Sequence, residues 1–232
     1  MNQTQVFELL EQNKNPSGIE HWNKMTHTNG LTSYGIGLTV QRKLAKKIGK
    51  NRELAQVLWG SNCYDAKVLA LLIDDPKQIT VEQAEQQVEQ LNSGMLSHVF
   101  SSCDATLAKS PIAFELAQRW LASDEANRRK CAFGLVYEFS KKKSKTYTED
   151  FFMSVINDIA ISFDKETKPV RLAMGSALMG IGKRSVALNQ AALSLANQLG
   201  PIDFNEDGSS CEPFNVVKHL TSDYLMKKLG LK

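Results

Sequence analysis

The chain has 232 residues, 42% of them apolar and 23% charged, enough to bury a substantial core as one elongated domain or two small ones. Its net charge of +3 is only mildly basic, so a nucleic-acid partner has to be argued from local clusters and not from the average. The polar start MNQTQVFELLEQNKN lacks a signal-peptide apolar block and no run reaches membrane-spanning length, which predicts a soluble, cytoplasmic protein with no membrane partner. Cys63, Cys103, Cys131 and Cys211 form no CxxC pair, so neither a zinc site nor a disulfide framework is expected, in keeping with a reducing compartment.

In chain order, Val6, Leu9 and Leu10 make a short helical stripe that stops at Asn15-Pro16, and Ile19, Trp22 and Met25 make a second. After the loop HTNGLTSYG, Ile36, Val40, Leu44 and Ile48 recur at helical spacing and end at Gly49. Leu54, Val57 and Leu58 close at Gly60, and Tyr64, Val68, Leu71 and Leu72 form the next face, ended by Asp75-Pro76. Thr80-Val-Glu-Gln83 has the pattern of a capping box. Six more helices are predicted near 95–109, 112–122, 125–140, 149–163, 169–183 and 186–199. All six prolines fall at the joints, where a missing amide is tolerated, and no convincing strand precedes residue 200. Short helices joined by short turns pair and stack, and the pairs recur at loose intervals of roughly 35–45 residues. The expectation is an all-α repeat solenoid over 1–200, followed by an extension, 201–232, packed on it. In that tail Asp207-Gly208 could tip a small hairpin, before a terminal helix from Asp223 to Leu229.

One acid stands out. Asp104 follows Phe100 by four residues within the predicted 95–109 helix, and an inward-looking carboxylate is costly unless it is paired or used. Basic clusters surround this region in sequence: Arg42, Lys43, Lys46 and Lys47 on one helix with Lys50 and Arg52 beyond it, Arg128, Arg129 and Lys130 opening another, Lys141 to Lys145 closing it, and Lys183 and Arg184 ending a third. Any one cluster is equally well a solvated helix terminus. Several in one solenoid favour phosphate tracking. Trp22, Trp59 and Trp120 read as core, the histidines lack metal-ligand spacing, and no Ser-His-Asp grouping or phosphate-cradling glycine loop is legible.

The order of these signals resembles the HEAT-like-repeat alkylpurine DNA glycosylases of the DNA alkylation repair family. The matching segments are SYGIGLTVQRKLAKKIGKNRELAQVLWGSNCYDAKVLALLIDDP, VFSSCDATLAKS, RWLASDEANRRKCAFGLVYEFSKK and KPVRLAMGSALMGIGKRSVALNQAALSLA, with a similar ending in GPIDFNEDGSSCEPF. The resemblance implies a C-shaped α–α superhelix that grips double-stranded DNA as a monomer and needs no metal or cofactor. It implies loss of cationic N3- or N7-alkylated purines, with Asp104 stabilising the oxocarbenium ion. Phe100 stands where the family usually has tryptophan, offering a ring for cation–π attraction. Arg129 matches an arginine that contacts the DNA backbone; Arg42, Lys43, Lys46, Lys141, Lys183 and Arg184 are the further phosphate candidates. The family's W-A-L-R motif reads Ser176-Ala177-Leu178-Met179 here, so an aromatic and an arginine are replaced. Two function classes follow, a glycosylase acting through Asp104 and a non-catalytic relative that binds bent, branched or damaged DNA, with a protein-binding helical adaptor as the third.

Overall fold

Helix follows helix from Gln3 to Lys228 in the computed structural model, which describes residues 1–203 and 212–232. The first compact unit, Met1–Leu116, contains α1 (Gln3–Gln12), α2 (Pro16–Lys24), α3 (Leu38–Ile48), α4 (Arg52–Trp59), α5 (Tyr64–Ile73), α6 (Val81–Val88), α7 (Leu96–Ser101) and a 3₁₀ turn at Leu107–Lys109. The unit boundary lies inside α8 (Ala113–Leu121). The second unit, Ala117–Lys232, contains α9 (Ala126–Ser140), α10 (Glu149–Ser162), α11 (Lys168–Ile181), α12 (Val186–Leu199), α13 (Val216–Leu220) and α14 (Asp223–Lys228). Among the described residues the only β pairing is two isolated bridges, Thr32 with Cys63 and Ile202 with Phe214. Asp207-Gly208 and Cys211 lie outside the described residues.

Each unit is centred on a helix whose residues are mostly buried. In the first it is α5, where Ala66, Val68, Leu69, Ala70, Leu71 and Ile73 are all buried, with α1, α3, α4 and α7 packed on it. In the second it is α9, whose Cys131, Phe133, Leu135, Val136 and Phe139 are buried, and its main partner is α11. Next-but-one contacts recur within both units: α3 with α5, α5 with α7, α9 with α11, α10 with α12, α11 with α13. That is the pattern of helical hairpins stacked on one another, each helix resting on its counterpart in the next pair. The expected all-α repeat architecture stands, and Trp22, Trp59 and Trp120 are core residues.

Two local expectations change. The Thr80 hydroxyl accepts from the Gln83 amide at 3.2 Å, but the Gln83 side chain does not close the box. It reaches the buried Asp74 at 2.8 Å and accepts from Arg52, joining the half-buried Arg52–Asp74 ion pair at 3.0 Å. A buried carboxylate needs its lone pairs filled more than a helix start needs its second cap. The predicted 95–109 helix breaks after Ser101: Cys103 and Asp104 take positive φ values of 59° and 63°, in the left-handed region that disfavours side chains. The run Ser101-Ser102-Cys103-Asp104 is poor in helix formers, and Ser and Asp compete with the helix for backbone partners.

Candidate nucleic-acid interface

The break after α7 moves Asp104 from a helix interior to an exposed turn. The turn is held by α3: Arg42 donates through Nη2 to the Cys103 carbonyl at 2.8 Å and also contacts the Cys103 sulfur. Two consecutive left-handed side-chain-bearing residues cost about 1–3 kcal/mol each, so an external hold of this kind is what such a turn requires. The result is a carboxylate presented to solvent on a fixed support.

Around it lies a cleft of about 530 Å³ lined by Arg42, Lys46, Lys50, Asp104, Thr106 and Lys109, among others. Arg42 and Lys46 are four apart on α3 and therefore project from one helical face. Gly49 ends α3, at a φ of 79°, and delivers Lys50 to the same wall. Lys109 comes from the 3₁₀ turn. Four cations face one carboxylate, so the cleft is an anion attractor built wholly within the first unit. Lys50 donates to the Leu72 carbonyl at 2.9 Å and to Thr106 Oγ1 at 3.1 Å. Desolvation first, and Lys109 second, push its ammonium below the usual lysine range.

The predicted site residues divide. Asp104, Arg42 and Lys46 come together in this cleft, whereas Lys43 is exposed and does not line it. Phe100 is 2% exposed; its ring is core packing and offers no face to a ligand. Arg129, expected on a DNA phosphate, is buried and fully engaged inside the second unit. It donates to Glu166 at 2.6 Å, to Asp158 at 3.2 Å, to the Ser162 hydroxyl at 2.8 Å and to the Leu121 carbonyl, with its guanidinium 5.2 Å from the Phe133 ring centroid. Arg184 is likewise occupied. Its Nη1 donates to the carbonyls of Ser140 at 2.9 Å and Lys142 at 2.8 Å, closing the end of α9, and the guanidinium lies 4.4 Å from the Phe152 ring centroid. Lys141 pairs with Glu138 at 2.6 Å. Lys183 is half-buried; desolvation, then Lys228, lowers its ammonium below the ordinary value. Ser176 donates to the Leu172 carbonyl at 3.0 Å, a local helix contact.

Sequence reasoning missed Lys109 and Thr106 and counted Lys50 only within a basic cluster, not as a site residue. Lys109 sits in a three-residue turn with no periodicity to flag it, and its one visible sign is its place five residues after Asp104. Among the described residues no helix is long and apolar enough to cross a membrane, and no cluster of His, Cys, Asp or Glu could hold a metal.

Comparison with known proteins gives one consistent direction. The family model for DNA alkylation repair enzymes matches residues 6–202. An uncharacterised protein of Listeria monocytogenes is 24% identical over 220 residues, covering 91% of this chain and 92% of that protein. An uncharacterised protein of Listeria innocua is 22% identical with the same coverage, 91% and 92%. Among solved structures, a protein of a family related to the HEAT-like repeat DNA glycosylases, with affinity for branched DNA structures, superposes with a TM-score of 0.82 at 23% identity. That match covers 100% of this chain and 97% of the other.

Proposed function

The chain belongs to the DNA alkylation repair enzyme family, and from that premise we propose that it binds DNA through the basic cleft of its first unit. The observation that carries this reading is the convergence of Arg42, Lys46 and Lys50, from α3 and its end, with Lys109, from the 3₁₀ turn, on one cleft. Backbone phosphates are the ligand such a surface selects, since each neutralised phosphate releases condensed counter-ions. The protein acts as a cytoplasmic monomer on double-stranded DNA, and junctions are its preferred form. The branched-DNA affinity of the structural neighbour supports that preference. So does the absence of an aromatic wall. Among the described residues no aromatic side chain lines the cleft, and Phe100 is buried, so a flipped or cationic base has little to stack on there.

Lys46→Ala with Lys109→Ala tests the cleft. The double variant is expected to weaken binding to a four-way junction and to plain duplex alike, and to reduce the slope of log affinity against log salt by about 2. A slope equal to that of the wild type would place the phosphates elsewhere and end this reading.

A second reading, excision of cationic alkylpurines, is favoured by one observation: Asp104 is exposed on its turn among those cations, where an oxocarbenium ion could be stabilised. Under the binding reading, wild-type protein releases no methylated base from alkylated duplex. Release that disappears in Asp104→Asn would reinstate the enzyme.

A further inference from the structure

Lys50 differs in setting from the other cations of the cleft. Both acceptors of its ammonium are neutral, the Leu72 carbonyl at 2.9 Å and Thr106 Oγ1 at 3.1 Å, and Thr106 is itself fixed by donating to the same carbonyl at 3.5 Å. The nearby Asp74 carboxylate is already held by Arg52 at 3.0 Å and by Gln83 at 2.8 Å. Desolvation and the Lys109 charge destabilise the ammonium, with Asp74 and Asp75 opposing them more weakly. A lysine in this position keeps more of its neutral, nucleophilic form at neutral pH than a solvated one does. It also lines the basic cleft that carries the DNA-binding reading.

We propose that Lys50 captures the ring-opened sugar of an abasic DNA site as an imine. The inference rests on the DNA-binding reading of the same cleft. An abasic deoxyribose equilibrates with an open aldehyde at C1′, and it lacks the base that would need a stacking wall. What remains to be recognised is a pair of flanking phosphates, the ligand suited to Lys46 and Lys109. The cleft volume of about 530 Å³ is sufficient for one sugar with its phosphates. The neutral Nζ attacks the C1′ carbonyl carbon and the carbonyl oxygen gains a proton as the nitrogen loses one, giving a carbinolamine. The C1′–O bond then breaks and the oxygen leaves as water while the nitrogen gives up its second proton to complete the C=N bond. Amine plus aldehyde becomes imine plus water, without redox change or co-reactant.

Borohydride reduction makes the capture visible. The full chain is incubated with a labelled duplex carrying one abasic site, and in parallel with free 2-deoxyribose 5-phosphate, and both are reduced. Expected are a covalent protein–DNA band and, by peptide mass mapping, a sugar adduct on Lys50 in both reactions. Lys50→Arg, which keeps the charge, is expected to lower the covalent yield about tenfold relative to its own bound fraction. DNA binding without any adduct overturns the proposal and leaves the binding reading intact. Adducts spread over many lysines and insensitive to Lys50→Arg overturn it too. An adduct on Lys50 from the free sugar phosphate, in a protein that binds no DNA, overturns the abasic-DNA proposal together with the DNA-binding reading.

Discussion

Arg129→Met is expected to destabilise the chain by about 3–5 kcal/mol in urea unfolding, the range for breaking a buried charge network by removing one partner. The residue is 6% exposed and its guanidinium makes four polar contacts, to Glu166, Asp158, Ser162 and the Leu121 carbonyl. Asp158, whose side chain is 35% exposed, recovers water readily and contributes little to the loss. Glu166, at 16%, does not, so its carboxylate and the Leu121 carbonyl carry most of the cost. Lysine supplies a charge but not the planar fork that serves these acceptors at once, so Arg129→Lys is expected to recover less than half of the loss. The double change Arg129→Met with Glu166→Gln should lie above the single variant, because the stranded charge is gone. A residue used only on DNA would behave in the opposite way, with stability retained and the salt slope reduced by about 1 in Arg129→Met. A loss below about 1 kcal/mol in Arg129→Met would show that the network is incidental.

The same residue shows where the sequence stops being informative. Arg128-Arg129-Lys130 at a helix start reads as an exposed basic cluster, because the acids that neutralise Arg129 lie 37 and 29 residues further along the chain. No local pattern announces such a pairing. Helix existence, by contrast, is local. The stripes of α10, α11 and α12 come from period 3.6 alone and their predicted ends fall within two residues of those observed. The exception is the segment carrying Asp104, where apolar residues on both sides of the break kept the helical period while Ser102, Cys103 and Asp104 did not propagate the helix. The site was legible in part for the same reason: Arg42 and Lys46 share a helix face that spacing reveals, with Lys50 just past its end, but Thr106 and Lys109 join them only through the stacking of hairpins.

Asp65→Ala is expected to cost about 3–5 kcal/mol and to weaken DNA binding as well, because this buried carboxylate sets the start of the helix that carries Arg42 and Lys46. Asp65 is fully buried and accepts from the Ser33 hydroxyl at 2.7 Å, the Tyr34 amide at 2.7 Å, the Ile36 amide at 3.1 Å and the Gln41 side chain at 3.1 Å. Truncation strands those donors, each at about 1–3 kcal/mol where water cannot reach. Burial pushes its carboxyl above the usual aspartate range, and the hydrogen bonds from Ser33, Tyr34, Ile36 and its own backbone amide only partly pull it back. The folded chain therefore holds a proton that the unfolded chain releases between the ordinary value of 3.8 and the higher folded one. Stability falls as pH rises through that window, and Asp65→Ala is expected to flatten this segment of the profile. Ser33→Ala removes only one donor and should cost about 1 kcal/mol, leaving Ile36 and Gln41 in place. In conditions where both variants remain folded, the salt-dependent affinity for DNA should drop in Asp65→Ala and hold in Ser33→Ala. Equal affinities would mean that α3 keeps its position without the carboxylate, and that the cleft is fixed by the Arg42–Cys103 contact alone.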